Sequence, residues 1–144
     1  MAAQADRQVM LQPGWGTLQH YYTIPAYVHV KFGNWTEILA WELENPELVY
    51  PSAIQAYARG MAFLGKNNIS DAKRELEELM VLAENEELEH ITIWDINSVQ
   101  DLVHIVVKVL NAEVLAKETH FEEAIALLKE AVEIEDNLNY NEPP

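Results

Sequence analysis

Residues 53–83 read AIQAYARGMAFLGKNNISDAKRELEELMVLA and carry two apolar periodicities, separated by the polar residues Lys66, Asn67 and Asn68. In both halves, apolar or small residues recur at intervals of three and four, the spacing of one face of an α-helix. Pro51 favours a helix that starts just after it, and Ser70 is the predicted cap of the second helix. The segment therefore predicts two amphipathic helices joined by a short turn.

The C-terminal part of the chain continues this pattern. Valines and leucines occupy helical positions over residues 99–115, and Asp95 or Ser98 is placed to cap the helix that they predict, which ends near Lys117. So many valines also suit a strand, but the run is longer than an ordinary strand. A last helix is predicted over about residues 121–138. We expect an all-α fold and a single domain over residues 1–144.

Composition restricts the classes of function. The 144 residues are 49% apolar and include no cysteine, which excludes a disulfide framework, a cysteine zinc site and a cysteine nucleophile. Lysine and arginine number 9 against 24 acids, a net charge of −15 that repels nucleic acid and anionic membranes. The acids are interpreted as solvated helix faces, and attraction of a basic partner remains the alternative.

Targeting signals are not found in the sequence. Residues 1–12 include Asp6 and Arg7 and lack the apolar stretch of a signal peptide, and no apolar run reaches the length of a membrane span. We therefore expect a cytoplasmic protein.

No motif predicts catalysis. None of the five histidines lies in a His-Glu-x-x-His arrangement, and Gly14-Trp15-Gly16 lacks the further glycines of a phosphate-binding loop. The acidic run at Glu86, Glu87, Glu89 and His90 favours a solvated turn over a metal site, because it lacks the alternating acids and glycine of a calcium loop. We expect no catalytic residue, cofactor or metal. A small helical enzyme or metal protein that uses His90 or His104 is the alternative.

Three helix junctions are alike in sequence. Residues 33–39 (GNWTEIL), 67–73 (NNISDAK) and 119–125 (THFEEAI) each begin with a turn residue, followed by a large apolar residue, an acid and a small or aliphatic residue. Ile38 and Ala72 are 34 residues apart, whereas Ala72 and Ala124 are 52 apart. The chain therefore carries a repeat, with about 18 extra residues between the second and third copies.

This order resembles the tetratricopeptide repeat (TPR) family, whose 34-residue unit is a helix A, a tight turn and a helix B. The resemblance implies antiparallel helix pairs stacked as a short right-handed superhelix, an α-solenoid, with units at about residues 18–50, 51–90 and 97–138. It implies that the extra residues lengthen helix B of the second unit, helix A of the third, or both. It also implies small residues where helices cross, at Ala26, Gly60, Ala72, Ala112 and Ala124.

Two segments carry a closer resemblance. Residues 32–39 (FGNWTEIL) and 138–144 (LNYNEPP) are similar to a group of mostly uncharacterised bacterial TPR-containing proteins, in which Tyr-x-Glu-Pro-Pro usually precedes another helical unit. A helical repeat buries its apolar face only by stacking on a neighbour. We therefore expect this chain to be a segment of a longer array, or its last helix to be covered by a second copy.

The family's binding surface is the groove formed by its A helices, and the resemblance places three rows of residues there. The predicted contact positions are Tyr27, Lys31, Ile54, Tyr57, Met61, Leu64, Val109 and Glu113. The same rows also include His20, Thr23, Val30, Val106, Ala116 and Lys117. Ordinary packing within the array is the alternative role of each. The family's clamp for chaperone carboxylates needs Lys and Asn where this chain has Thr23, Tyr27 and Ala58, so that role is rejected.

The function expected from the resemblance is a non-enzymatic scaffold that binds a peptide or protein segment in this groove. The apolar groove and the acidic chain favour a partner with apolar anchors and some basic character. The alternative is structural self-association, in which the domain acts as a dimerisation module or spacer of a larger protein.

Overall fold

The computed structural model describes residues 7–12 and 14–139. Expectations that concern residues 1–6, Pro13 and residues 140–144 lie outside this part of the chain. The described residues form eight helices and one hairpin, in the order α1 Arg7–Met10, α2 Gly16–Phe32, α3 Trp35–Ala40, α4 Val49–Gly65, α5 Ile69–Ala83, α6 Glu87–His90, β1 Thr92–Ile93, β2 Asn97–Ser98, α7 Val99–Lys117 and α8 Phe121–Asp136. The predicted helical class is thus confirmed, with a small hairpin added.

Most of the helices form three pairs, α2 with α3, α4 with α5, and α7 with α8. Turns of two or three residues join the members of each pair. In addition, α4 packs on both helices of the preceding pair, and α7 packs on both α4 and α5. The pairs are therefore layered in chain order.

The three turns within the pairs share one backbone geometry. Each ends its first helix with a left-handed residue, and the next amide donates to the carbonyl five residues earlier, which satisfies a carbonyl at the helix end. The left-handed residues are Gly33, Asn67 and Thr119, with φ of 68°, 59° and 67°. The hydrogen bonds run from Asn34 to His29, from Asn68 to Phe63 and from His120 to Leu115, at 2.8–2.9 Å. The three similar sequence junctions thus form turns with the same hydrogen-bond pattern.

The helix boundaries correct two details of the sequence analysis. The predicted cap of α5 at Ser70 is wrong, because α5 begins at Ile69 and the Asn68 side chain accepts the hydrogen bond from the Asp71 amide. The first helix of this pair starts at Val49, and Pro51 lies inside its first turn, where a missing amide hydrogen costs little.

The valine-rich segment is helical, as predicted. It forms α7, and the Ser98 side chain caps it by accepting a hydrogen bond from the Gln100 amide at 3.1 Å. The last helix, α8, ends at Asp136, two residues before its predicted end. Neither the strand alternative nor a cap at Asp95 is found.

The extra residues do not lengthen the helices in the way that the sequence analysis expected. After α5 the chain forms α6 and then a hairpin in which Thr92 pairs with Ser98 and Ile93 with Asn97. Trp94 and Asp95 make its turn, both with positive φ. Two consecutive left-handed residues produce a tight hairpin turn, which explains why the helical period fails here.

The hydrophobic core is centred on α4, which contacts α2, α3, α5, α6 and α7. Small residues predicted at helix crossings are buried, namely Ala26, Gly60, Ala72, Ala112 and Ala124. The atoms nearest to Gly60, however, belong to Leu110 of α7, so this glycine faces the following pair rather than its own partner helix. Among the residues that the structure describes, no helix is both long enough and apolar enough to cross a membrane.

Candidate functional site

The helices α2, α4 and α7 carry the residues predicted to line a groove, and α4 contacts both of the others. Of the eight predicted contact positions, Lys31 is exposed, and Tyr27, Met61, Val109 and Glu113 are partly exposed. We call these five residues the A-helix surface. They include apolar, aromatic and charged side chains, as a surface that contacts a protein segment requires.

Three of the predicted groove positions belong to the interior instead. Ile54 is 0% exposed and Leu64 is 3% exposed, and both are part of the hydrophobic core. Tyr57 is 9% exposed and is also part of this core. Among the secondary positions, Thr23 and Val106 are also buried. We therefore restrict the accessible surface to the five residues above.

Aromatic contacts join α2 to α4. The Tyr27 ring lies 6.4 Å from the Tyr57 ring and 6.3 Å from His20, in tilted geometries. His20 also stacks on Tyr50, with 6.3 Å between ring centroids. Such pairs add to the free energy gained by burying the rings and fix their orientation. Tyr27 is thus a partly exposed ring in contact with two others, His20 and Tyr57.

Tyr50 is the centre of a buried hydrogen-bond network that the sequence analysis did not identify. It is 0% exposed, and its hydroxyl lies 2.9 Å from His20 Nδ1. Burial raises the pKa of Tyr50 to about 12, against the opposing effect of hydrogen bonds with Tyr27 and Thr23. In the sequence, Tyr50 directly precedes Pro51, where the helix was predicted to begin, so it was not considered as a core or site residue. No spacing signal distinguished it.

The same burial favours the uncharged forms of the neighbouring groups. It lowers the pKa of His20 and raises the pKa of Tyr27 well above its ordinary value. Neutral phenols of high pKa are poor bases and poor nucleophiles. The network is therefore suited to holding these side chains in place.

Glu113 connects α7 to the aromatic cluster. Burial, followed by the negative charge of Glu113, raises the pKa of Tyr57, which places this carboxylate near the ring. Glu113 is partly buried and has no ion-pair partner among the residues that the structure describes. Lys117, one turn away, instead donates to Asn67 Oδ1 at 3.3 Å. The A-helix surface thus offers an unpaired negative charge beside aromatic rings.

The positions considered for metal or enzyme chemistry lie elsewhere. Glu86, Glu87, Glu89 and His90 are at α6 and are exposed. Within residues 7–12 and 14–139, no group of three or more His, Asp or Glu side chains is arranged to hold a metal ion. His104 lines a separate cavity of about 260 Å³ between α5, α7 and α8, together with Met80 and Ile134.

A larger open cleft, of about 580 Å³, lies next to the end of α3. This helix has only 6 residues, whereas its counterpart α5 has 15, so part of the α4–α5 pair is left uncovered. Arg59 and Glu75 line the cleft and form an ion pair with 2.8 Å between Nε and Oε1. Burial raises the pKa of Glu75 despite this partner. The cleft is mainly polar and lacks the aromatic cluster of the A-helix surface.

No protein-family model matches the chain, and no curated protein or solved structure matches it either. The function is therefore inferred from the residues described above.

Proposed function

We propose that the chain is a non-enzymatic scaffold of the TPR type, which binds a peptide or protein segment on the A-helix surface. The observation that carries the proposal is the continuity of α2, α4 and α7, joined by the contact of Tyr27 with Tyr57 and by the proximity of Tyr57 to Glu113. The three turns, which share a left-handed residue and a hydrogen bond, and the layered pairs support a stack of the TPR kind, a short right-handed superhelix. The lack of cysteine fits a cytoplasmic location.

The chemistry of the surface favours a particular kind of segment. Tyr27, Met61 and Val109 provide apolar contacts, and Met adapts to irregular partners. Glu113 has no described cation beside it, and the chain carries a net charge of −15. A segment with apolar anchors and a lysine or arginine would therefore gain both burial and charge pairing.

The test is selection of peptides from a random library on the wild-type protein, followed by binding measurements on variants. Met61→Glu and Glu113→Lys should each weaken selected peptides by at least about tenfold. Val81→Glu on α5 is the matched control, since Val81 is 74% exposed and lies off the A-helix surface. Amide NMR shifts on peptide binding should map to α2, α4 and α7. The proposal would be refuted if the selected peptides bound both surface variants as tightly as the wild type, or if the NMR shifts were confined to α5 and α8.

A further inference from the structure

The outer side of α8 is an apolar surface without a partner in the described part of the chain. Phe121, Ile125, Leu128 and Val132 are 58%, 53%, 38% and 51% exposed. Their spacing of four, three and four residues places them along one side of the helix. We call these four residues the outer stripe. The neighbouring side of α8, which includes Ala124 and Ala131, is buried against α7.

The structure contains an internal template for what covers such a surface. The repeat offset of 52 residues places Leu128 on the position that Leu76 holds in α5. There α7 packs against α5, and Leu76 is only 8% exposed, compared with 38% for Leu128. Lys73 of α5 also donates to Glu118 Oε1, just after α7, at 2.6 Å. In the second pair, therefore, α7 covers the middle of this face at Leu76, and an ion pair forms at Lys73, which corresponds to Ile125. Met80, which corresponds to Val132, remains 48% exposed.

The charge of α8 discriminates between possible occupants. Its charged residues are six acids and a single base, Lys129. The acids are Glu122, Glu123, Glu130, Glu133, Glu135 and Asp136. A second copy would bring the same acids against these, and close like charges destabilise an interface. A helix with basic residues beside its apolar face would meet the opposite charge.

We propose that the outer stripe docks an amphipathic helix of a partner protein, with apolar residues against the stripe and Lys or Arg beside the α8 carboxylates. The docked helix would take the position on α8 that α7 takes on α5. This surface is separate from the A-helix surface, so the two proposals stand or fall independently.

The probe is a synthetic helical peptide of about 18 residues, built from leucine and lysine with one apolar face. A peptide of identical composition in scrambled order, without an apolar face, is its control. We expect the amphipathic peptide to bind the full chain, measured by fluorescence anisotropy at physiological salt. The scrambled peptide should bind at least about tenfold more weakly.

Ile125→Glu separates docking from simple charge attraction. It adds a negative charge, so attraction alone would tighten the binding of a cationic peptide. Docking on the stripe predicts the opposite, a loss of at least about tenfold. Val81→Glu adds the same charge at an exposed site on α5 and should not weaken binding. Val132→Glu is a second stripe variant, should Ile125→Glu alter the circular dichroism spectrum.

Three results would overturn the inference. The first is equal binding of the amphipathic and scrambled peptides. The second is tighter binding of the amphipathic peptide by Ile125→Glu than by the wild type. The third is a wild-type dimer in sedimentation equilibrium that Ile125→Glu dissociates, because the stripe would then be covered by a second copy. Because the A-helix surface also favours apolar and basic segments, the stripe variants are compared in a Met61→Glu background, where the loss caused by Ile125→Glu should persist.

Discussion

Gly60 of α4 lies directly against Leu110 of α7, at the contact between the second and third helix pairs. A Cβ atom on Gly60 would come within 2.5 Å of Leu110 Cδ2 and 3.2 Å of its Cγ. Leu110 is 0% exposed, so its side chain cannot move out into solvent. Glycine inside a helix costs up to about 1 kcal/mol relative to alanine. Here the absence of a side chain on Gly60 permits the close approach of the two helix pairs.

Gly60→Ala should therefore destabilise the protein despite its better helix propensity. Overpacking a core contact costs about 1–3 kcal/mol, which exceeds the propensity gain of about 1 kcal/mol in most of that range. Urea unfolding followed by circular dichroism measures the change. Leu110→Val removes part of the opposing side chain, so the double variant should be more stable than the sum of the single changes predicts. Strict additivity of the two changes would argue against this contact.

Thr119 is the weakest of the three turn residues. It is β-branched and has φ of 67°, a left-handed conformation that is strained for such a side chain. Gly33 occupies the same place in the first turn with φ of 68°. We expect Thr119→Gly to raise the free energy of unfolding by roughly 0.5–1 kcal/mol, and Gly33→Ala to lower it by about 1 kcal/mol. Chemical denaturation of both variants checks this opposite pair of signs.

Much of the fold followed from the sequence because its signals are local. The three junctions predicted the turns, since a left-handed residue after a helix is encoded within a few positions. The apolar period of residues 99–115 predicted α7 despite its valines. The hairpin in the insertion was not predicted. Its turn needs two left-handed residues, and these are Trp94 and Asp95 rather than the glycine or asparagine that would have marked a turn in the sequence.

The candidate site was harder to predict than the fold. Helical spacing assigns a residue to a side of a helix but does not state how deeply neighbouring helices cover it. Ile54 and Met61 are two turns apart on one helix, yet Ile54 is fully buried and Met61 is partly exposed. Tyr50 went unnoticed for the same reason, since its role arises from contact with His20, 30 residues earlier. Depth and long-range pairing are tertiary properties.

The cap of α5 provides a comparison between neighbouring residues. Asn68 accepts the Asp71 amide at 3.2 Å, whereas Ser70 lies inside the helix and is exposed. Asn68→Ala should cost about 1 kcal/mol, because it leaves an amide at the helix start without its partner. Ser70→Ala should change stability by no more than about 0.5 kcal/mol. The same denaturation assay tests both, and a larger effect at Ser70 would reverse the assignment.

His20 makes stability depend on pH in a defined direction. Burial lowers its pKa, so the folded state resists the proton that the unfolded chain accepts near pH 6.5. The unfolded state therefore binds more protons, and stability is lost as pH falls through about 6.5 towards the folded pKa. In His20→Gln this contribution is absent. As the pH falls from about 7.5 to 5.5, the wild type should consequently lose more free energy of unfolding than His20→Gln does.

The Tyr50 variant separates burial from hydrogen bonding as the cause of this effect. Tyr50→Phe removes the hydroxyl that lies 2.9 Å from His20 Nδ1 but retains the ring that stacks on the imidazole. Because desolvation lowers the pKa of His20, Tyr50→Phe should keep the wild-type pH dependence while losing stability at every pH. Urea unfolding at several pH values measures both quantities. Wild type and His20→Gln with parallel pH profiles would show that His20 is solvated in the folded protein, and the aromatic cluster would then be more open than the contacts of Tyr27 and Tyr50 indicate.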